Sequence, residues 1–312
     1  MNKKPLVLLY KTPFGHYFYE TNRNEIVLIS ENMYQYMRIM FHGNFSGETE
    51  ITNKTIAEYN ELQECGYLSP PSVQTVQHPL TKGVKNFLDR KVDKITLQVT
   101  QNCNLRCYYC IYSDESNLGQ RSHSSNRMAL DTAKKALHFY KEHSIDSEKA
   151  FVSFYGGEPL LEFSRIKEIV LYAKEIFEGK ELLFGITTNA TLLNEEAIDF
   201  LLKHNFKIAI SIDGPQSVQD KNRKFQNGQG SYDIVMKNVN TLYNKDPNHM
   251  KNVTISMVIN PEQDYSELVT LFHLPILKDV NLTYTMIERD AEILPPSKDY
   301  LLKYQYDCQT TL

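Results

Sequence analysis

The chain has 312 residues, 41% hydrophobic and 23% charged, with a formal net charge of -4. That is apolar surface enough for one large core plus a smaller second domain, which excludes bulk disorder. No overall basic field argues for nucleic acid or an anionic membrane surface as a partner.

The N-terminal stretch MNKKPLVLLYKTPFGHYFYE holds a short apolar run broken by Lys11, Pro13 and Gly15, with no small-residue cleavage site behind it. No stretch reaches the roughly 18 apolar residues of a membrane span, so a soluble cytoplasmic protein with no membrane partner is expected. Residues 16–30, HYFYETNRNEIVLIS, predict two short strands around the turn Thr21-Asn22-Arg23-Asn24. Ser30 is placed to cap a helix through Met33, Tyr36, Met37 and Met40, with Gly43 ending it. A second helix is expected over about Lys54–Glu64, stopped by Cys65-Gly66-Tyr67-Leu68-Ser69-Pro70-Pro71. Residues from there to about 90 are polar without a period and read as a linker.

From Lys94 onward, β-rich runs alternate with helical patterns. Strands are expected near 95–100, 150–154, 183–187, 206–211, 253–259 and 280–286, and helices near 127–143, 164–178, 194–204, 231–244 and 264–273. Six βα-type units imply an α/β fold with a parallel sheet, and their spacing alone fits either a barrel or an open doubly wound sheet. Unusual residues gather after the strands: Cys103, Gly156-Gly157-Glu158, Thr188-Asn189, Asp213-Gly214 and Asn260. A barrel builds its active site at those ends.

Three of the five cysteines fall within eight consecutive residues, Cys103-Asn104-Leu105-Arg106-Cys107-Tyr108-Tyr109-Cys110. This is a poor disulfide framework and a good ligand cluster, and it points to a reducing compartment. A structural zinc site would want a fourth ligand, and the nearest, His123, has a spacing that fits no common zinc pattern. Cubane iron–sulfur clusters usually take four thiolates, so three leave one iron open, although a plain electron carrier is also an available reading.

The C-x-x-x-C-x-x-C spacing, with an aromatic before the last Cys, resembles the radical S-adenosylmethionine superfamily, and Thr187-Thr188-Asn189 and Ser211-Ile212-Asp213-Gly214-Pro215 resemble segments of its peptide-modifying branch. The resemblance implies a partial (β/α)6 barrel over residues 93–312. It also implies a 4Fe-4S cluster on Cys103, Cys107 and Cys110 whose open iron chelates S-adenosylmethionine, which one electron cleaves to a 5'-deoxyadenosyl radical. Further cofactor contacts are implied by similarity. Tyr109 would place its backbone near the adenine, and Tyr112 would stack on the same base. The backbone of Gly156, Gly157 and Glu158 would meet the methionine amino group. Ser211 would hydrogen-bond the ribose or carboxylate, and Asn189 and Asp213 would line the pocket. Arg223 would act as a fork donor to the carboxylate. Ala190 stands where family members usually have Gly.

Such enzymes usually continue into a cysteine-rich extension, called SPASM or twitch, that holds auxiliary clusters. With the chain ending at Leu312, that extension is expected to be absent, leaving Cys308 as its first ligand or as a free thiol. Cys65 is expected to be a small buried hydrophobe.

The N-terminal hairpin and helices, residues 1–75, resemble a winged-helix-like α+β domain that binds leader peptides by strand addition, with Tyr17, Phe18, Tyr19 and Ile26-Val27-Leu28-Ile29 as its surface. Residues 76–92 would be the linker. The expected function is modification, such as thioether crosslinking, of a ribosomally made precursor peptide, with Glu288 facing the substrate and Tyr284 either facing it or, more commonly for such a position, buried in its strand. An external flavodoxin- or ferredoxin-like reductant would serve it. Two alternatives stay open: a formylglycine-forming, anaerobic sulfatase-maturating enzyme, and a non-catalytic iron–sulfur peptide-binding subunit. Dispersed Lys and Arg give little support for a nucleic-acid partner.

Overall fold

The computed structural model describes residues 4–42, 51–71, 75–110, 112, 123–260 and 265–287. They fall into two compact units, one ending at Thr81 and the other beginning at Lys82. Glu288 and Cys308 lie outside the described residues.

The first unit comprises β1 (Val7–Thr12), β2 (Gly15–Glu20), β3 (Glu25–Ile29), α1 (Glu31–His42) and α2 (Asn53–Glu64). The expected hairpin is β2–β3, and β1 adds a third antiparallel strand, with Leu9 opposite Phe18 and Phe18 opposite Val27. One sheet face supplies Phe18 and Ile29 to a core shared with Met33, Met37, Tyr59 and Leu68. Ser30 caps α1 as expected, its Oγ accepting from Met33 N at 3.1 Å. Thr52 caps α2 through Thr55 N at 3.3 Å. Cys65 ends α2 but is exposed, not buried. Gly66 turns the chain away there at φ +85°, leaving the thiol outside the core.

The second unit opens with a helix where no period is legible, α3 (Val84–Arg90), seven residues long. It is tied down rather than free: Arg90 pairs with Asp146 at 2.8 Å, and Val92 N donates to His143 O at 2.9 Å. There follow β4 (Lys94–Thr100), β5 (Leu105–Cys107), α4 (Leu130–His143), β6 (Lys149–Gly156), α5 (Phe163–Ile176), β7 (Glu181–Thr188) and α6 (Glu195–Lys203). The chain continues with β8 (Lys207–Ser211), α7 (Gln216–Asn222), β9 (Arg223–Phe225), α8 (Tyr232–Lys245), β10 (Val253–Ile259), α9 (Tyr265–Val269) and β11 (Asn281–Met286).

All six expected strands are present, in the order β11-β10-β8-β7-β6-β4 with every neighbouring pair parallel. Each strand lies beside the next of the series, with none of the reversal that defines a doubly wound sheet. With right-handed crossovers, such an order winds in one direction, giving a partial (β/α)6 barrel.

Leu97, Val99, Val152, Phe154, Phe184, Ile186, Ile208, Ile210 and Ile255 face the helices and share one core with Leu137, Ile166, Ile169, Ile198, Leu201 and Val239. Each such side chain contributes about 1.5–3 kcal/mol when fully buried. Strand alternation therefore turns Gln98, Ser153, Thr187, Ser211, Thr254 and Ser256 to the opposite face. Tyr284 pairs with Met257, a core residue, so it stands on the helix side of the sheet rather than on this polar face. No helix among the described residues is long and apolar enough to cross a membrane.

Candidate functional site

The C-terminal ends of β4, β6, β7 and β8 carry the residues singled out above. After β4, Thr100 Oγ1 accepts from Asn102 N at 3.1 Å and turns the chain into the cysteine loop. The loop is then gripped by a short antiparallel ribbon, β5 with β9, which sets Cys107 directly across from Arg223. Tyr108 N donates to Asn222 O at 3.2 Å and Cys110 N to Cys107 O at 3.1 Å, so the third cysteine turns back over the second.

Cys103, Cys107 and Cys110 are all free thiols. Burial pushes the Cys107 thiol up to about 11 against the pull of Arg223, and burial also raises Cys103. Leu105 N and Asn189 Nδ2 both donate to Cys103 Sγ, at 3.4 and 3.8 Å. Among the described residues, no three His, Cys, Asp or Glu side chains converge as a single ion requires. His123 does not join the thiols: its ring packs on Tyr112 at 5.8 Å, and its backbone N–H donates to Tyr112 O. Three thiols spread along one loop, with amide donors aimed at sulfur, fit a multi-iron cluster better than one zinc ion. Tyr112 is buried in the contact with His123.

The Gly156-Gly157 pair has a clear cause. Gly157 N donates to Thr100 O at 3.0 Å and Glu158 N to Asn102 O at 2.9 Å. A Cβ on Gly156 would lie 2.2 Å from Thr100 O, and one on Gly157 2.2 Å from Asn102 O. The close approach that demands glycine is thus made by the backbone that launches the cysteine loop. Glu158 is fully buried: Oε1 accepts from Leu160 N at 3.0 Å and Thr188 Oγ1 at 2.7 Å, and Oε2 from Asn189 N at 2.7 Å. Burial raises its carboxyl above the usual range, opposed by those three donors and by Arg223. The side chain acts as a strut between the ends of β6 and β7.

Asn189 carries the strut on to the cysteines. Its Nδ2 donates to Asn104 Oδ1 at 2.9 Å, its Oδ1 accepts from Thr191 Oγ1 at 2.6 Å, and Asn104 Nδ2 donates to Thr191 Oγ1 at 2.8 Å. Ala190 takes a left-handed φ of +58°, and Asn238 of α8 donates to its carbonyl at 2.8 Å.

At the end of β8, Ser211 is half-buried and Asp213 fully buried. Asp213 Oδ2 accepts from Tyr109 Oη at 2.6 Å and from Asn222 Nδ2 at 3.3 Å, while Oδ1 accepts from Val258 N at 3.2 Å. Arg223 Nη1 donates to Tyr109 Oη at 2.6 Å and lies 3.6 Å from Asp213 Oδ1. Burial holds the Tyr109 phenol well above its ordinary value, with Arg223 opposing. Tyr109, Asp213 and Arg223, three separate sequence candidates, form one buried group. Asn104, Asn222 and Gln219, which donates and accepts around Asp213 N and Ser231, carried no readable signal. They sit in segments where polar residues are ordinary.

Residues 97–274, more than half of the chain, match the Radical SAM superfamily. The serine-type anaerobic sulfatase-maturating enzyme of Bacteroides thetaiotaomicron is 32% identical over 141 residues, 45% of this chain and 34% of that one. Among solved structures, anSMEcpe with bound AdoMet aligns with a TM-score of 0.57 at 21% identity, over 70% of this chain and 61% of that one. SuiB of Streptococcus suis, bound to precursor peptide SuiA, aligns with a TM-score of 0.52 at 15% identity, over 100% of this chain and 70% of that one. The chain spans less than half the length of the curated relatives it matches.

Proposed function

This chain belongs to the radical SAM superfamily, and from that premise we propose that it is a peptide maturase: Cys103, Cys107 and Cys110 hold a 4Fe-4S cluster, S-adenosylmethionine binds beside it, and a ribosomally made precursor peptide is modified. The observation that carries this reading is the set of three free thiols on one loop at the C-terminal ends of parallel strands. When bound, cluster and cofactor supply the one-electron chemistry that abstracts hydrogen from the substrate.

The chain's own residues orient and shield. Leu105 N and Asn189 Nδ2 support a thiolate at Cys103. The Gly156-Gly157 backbone and the Glu158 strut keep the cysteine loop in place. Ser211, Asn189, Tyr112 and the backbone at Tyr109 line the cofactor, and Asp213 acts through the phenol of Tyr109. The polar sheet face, with Ser153, Thr187 and Ser256, receives the substrate residue.

The first unit serves as a winged-helix-like leader-recognition domain. Its support is the exposure of Leu8, Ile26 and Leu28 on a sheet whose outer strands, β1 and β3, pair with no further strand among the described residues, which suits strand addition by an extended peptide. Reduction comes from an external flavodoxin- or ferredoxin-like donor. A second reading, formylglycine formation on a sulfatase-type peptide, is favoured by the identity shared with sulfatase-maturating enzymes.

The test is anaerobic reconstitution with iron and sulfide, then dithionite and S-adenosylmethionine, scoring 5'-deoxyadenosine by chromatography. Native protein is expected to release it, and a variant with all three cysteines changed to Ala is expected neither to hold iron nor to release it. Release by that variant, or none from a fully loaded native cluster, would sink the proposal. Mass spectrometry of precursor peptides and of sulfatase-type Cys or Ser peptides, with and without a hydrazide that captures aldehydes, then separates the readings: a crosslink removes two hydrogens and is not captured, whereas formylglycine is an aldehyde and is.

A further inference from the structure

One buried charge in this site is left over. Because β5 and β9 pair, the backbone of Arg223 stands directly across from Cys107, and only 10% of its side chain is exposed. Its Nη1 is spent on the Tyr109 phenol at 2.6 Å. Its Nε is buried and has no hydrogen-bond partner among the described residues. A guanidinium in such a place is costly unless an anion faces it.

Asp213 meets that need only in part. Its two oxygens also accept from Tyr109, Asn222 and Val258 N, and the nearest Arg223 nitrogen stays 3.6 Å away. The Tyr109 hydroxyl, 2.6 Å from both partners, sits between them as a wedge. It accepts from the arginine and donates to the aspartate, so the two charges do not close into a bidentate pair of the usual kind. The guanidinium therefore keeps positive field to spend on the cysteine loop across the ribbon.

We propose that Arg223 is a positioning residue for charge, not a ligand of the cofactor carboxylate: its guanidinium is the counter-charge of the cysteine loop and raises the reduction potential of a cluster bound there. This rests on the reading of Cys103, Cys107 and Cys110 as cluster ligands. The physical reason is Coulombic. One electron passes from an external donor, dithionite in the test below, to the cluster and adds one negative charge to it. A fixed positive charge in a buried, weakly screened site stabilises the reduced form more than the oxidised one. Asp213 pulls the other way, and Tyr109 sets how much of that opposition reaches the loop.

The test is an EPR-monitored redox titration of the reconstituted chain, without S-adenosylmethionine, for the native protein and for Arg223→Gln, Arg223→Lys and Asp213→Asn. Poised at the native midpoint, Arg223→Gln is expected to show an oxidised-to-reduced ratio about tenfold higher, a fall of ~59 mV for a one-electron couple. Arg223→Lys keeps the charge and is expected to restore most of the native midpoint. An unmoved or raised midpoint in a fully loaded Arg223→Gln overturns the inference. If that variant holds no cluster, Asp213→Asn decides: loss of the opposing charge must raise the midpoint, and no rise overturns the inference. A native chain that assembles no cluster would overturn the cysteine reading and this inference together, whereas a loaded cluster with an unmoved midpoint sinks this inference alone.

Discussion

Gly157 carries more of the site than its size suggests. Because a Cβ there would lie 2.2 Å from Asn102 O and 2.5 Å from Asn102 C, the neighbour is backbone and cannot rotate away. Gly157→Ala is expected to cost about 1–3 kcal/mol, the range for overpacking, and to push the cysteine loop off its seat. Thermal unfolding and iron content after reconstitution check this together; native iron content in a folded variant would show that the loop tolerates the shift. Asn189 is tested differently. Asn189→Ala leaves Asn104 Oδ1 without its donor and the backbone N–H and hydroxyl of buried Thr191 without their acceptor, and about 1–3 kcal/mol of stability should go with it. Both residues were visible in the sequence as candidates. What was not visible is that their nearest obligations are to the protein's own loop, because the partners Thr100, Asn102 and Asn104 lie 50 or more positions away in the chain and come close only when strands pair.

At the level of elements, α6 shows how local signals and packing combine. Asn194 caps it, its Oδ1 accepting from Ala197 N at 2.9 Å, and Ile198 and Leu201 face the core. The cap and the apolar spacing are sequence features, and this helix lies within a residue of its expected bounds. At its other end His204 packs on Phe200 at 4.5 Å. Burial, then Lys174 and Lys203, holds the imidazole below its ordinary 6.5. A lowered value means that this stabilisation is full above pH 6.5 and is lost as pH falls through the folded value. The melting temperature should therefore drop between about pH 7 and about pH 5, and His204→Gln should flatten part of that drop. An identical slope in the variant would assign the acid sensitivity elsewhere. By contrast α3, α7 and the β5–β9 ribbon went unread, since elements of three to seven residues are too short to show a period and exist because tertiary partners hold them.

At the scale of the whole molecule, the two units invite a division of labour. A chain beginning at Lys82 is expected to take up iron as the full chain does and to lose affinity for a leader-bearing peptide. Iron analysis and a binding titration check the two halves of that expectation, and unchanged peptide affinity would remove the first unit from recognition. The sequence by itself determined the alternation of strand and helix, the three-thiol loop and the glycine pair, because periodicity, turn chemistry and ligand spacing are local properties written along the chain. Only the tertiary structure decided between barrel and doubly wound sheet, since both share the same local pattern and differ in which strand lies beside which. It alone also joined Tyr109, Asp213 and Arg223 into one buried group, because burial and charge pairing are settled by what packs around a residue and not by its neighbours in sequence.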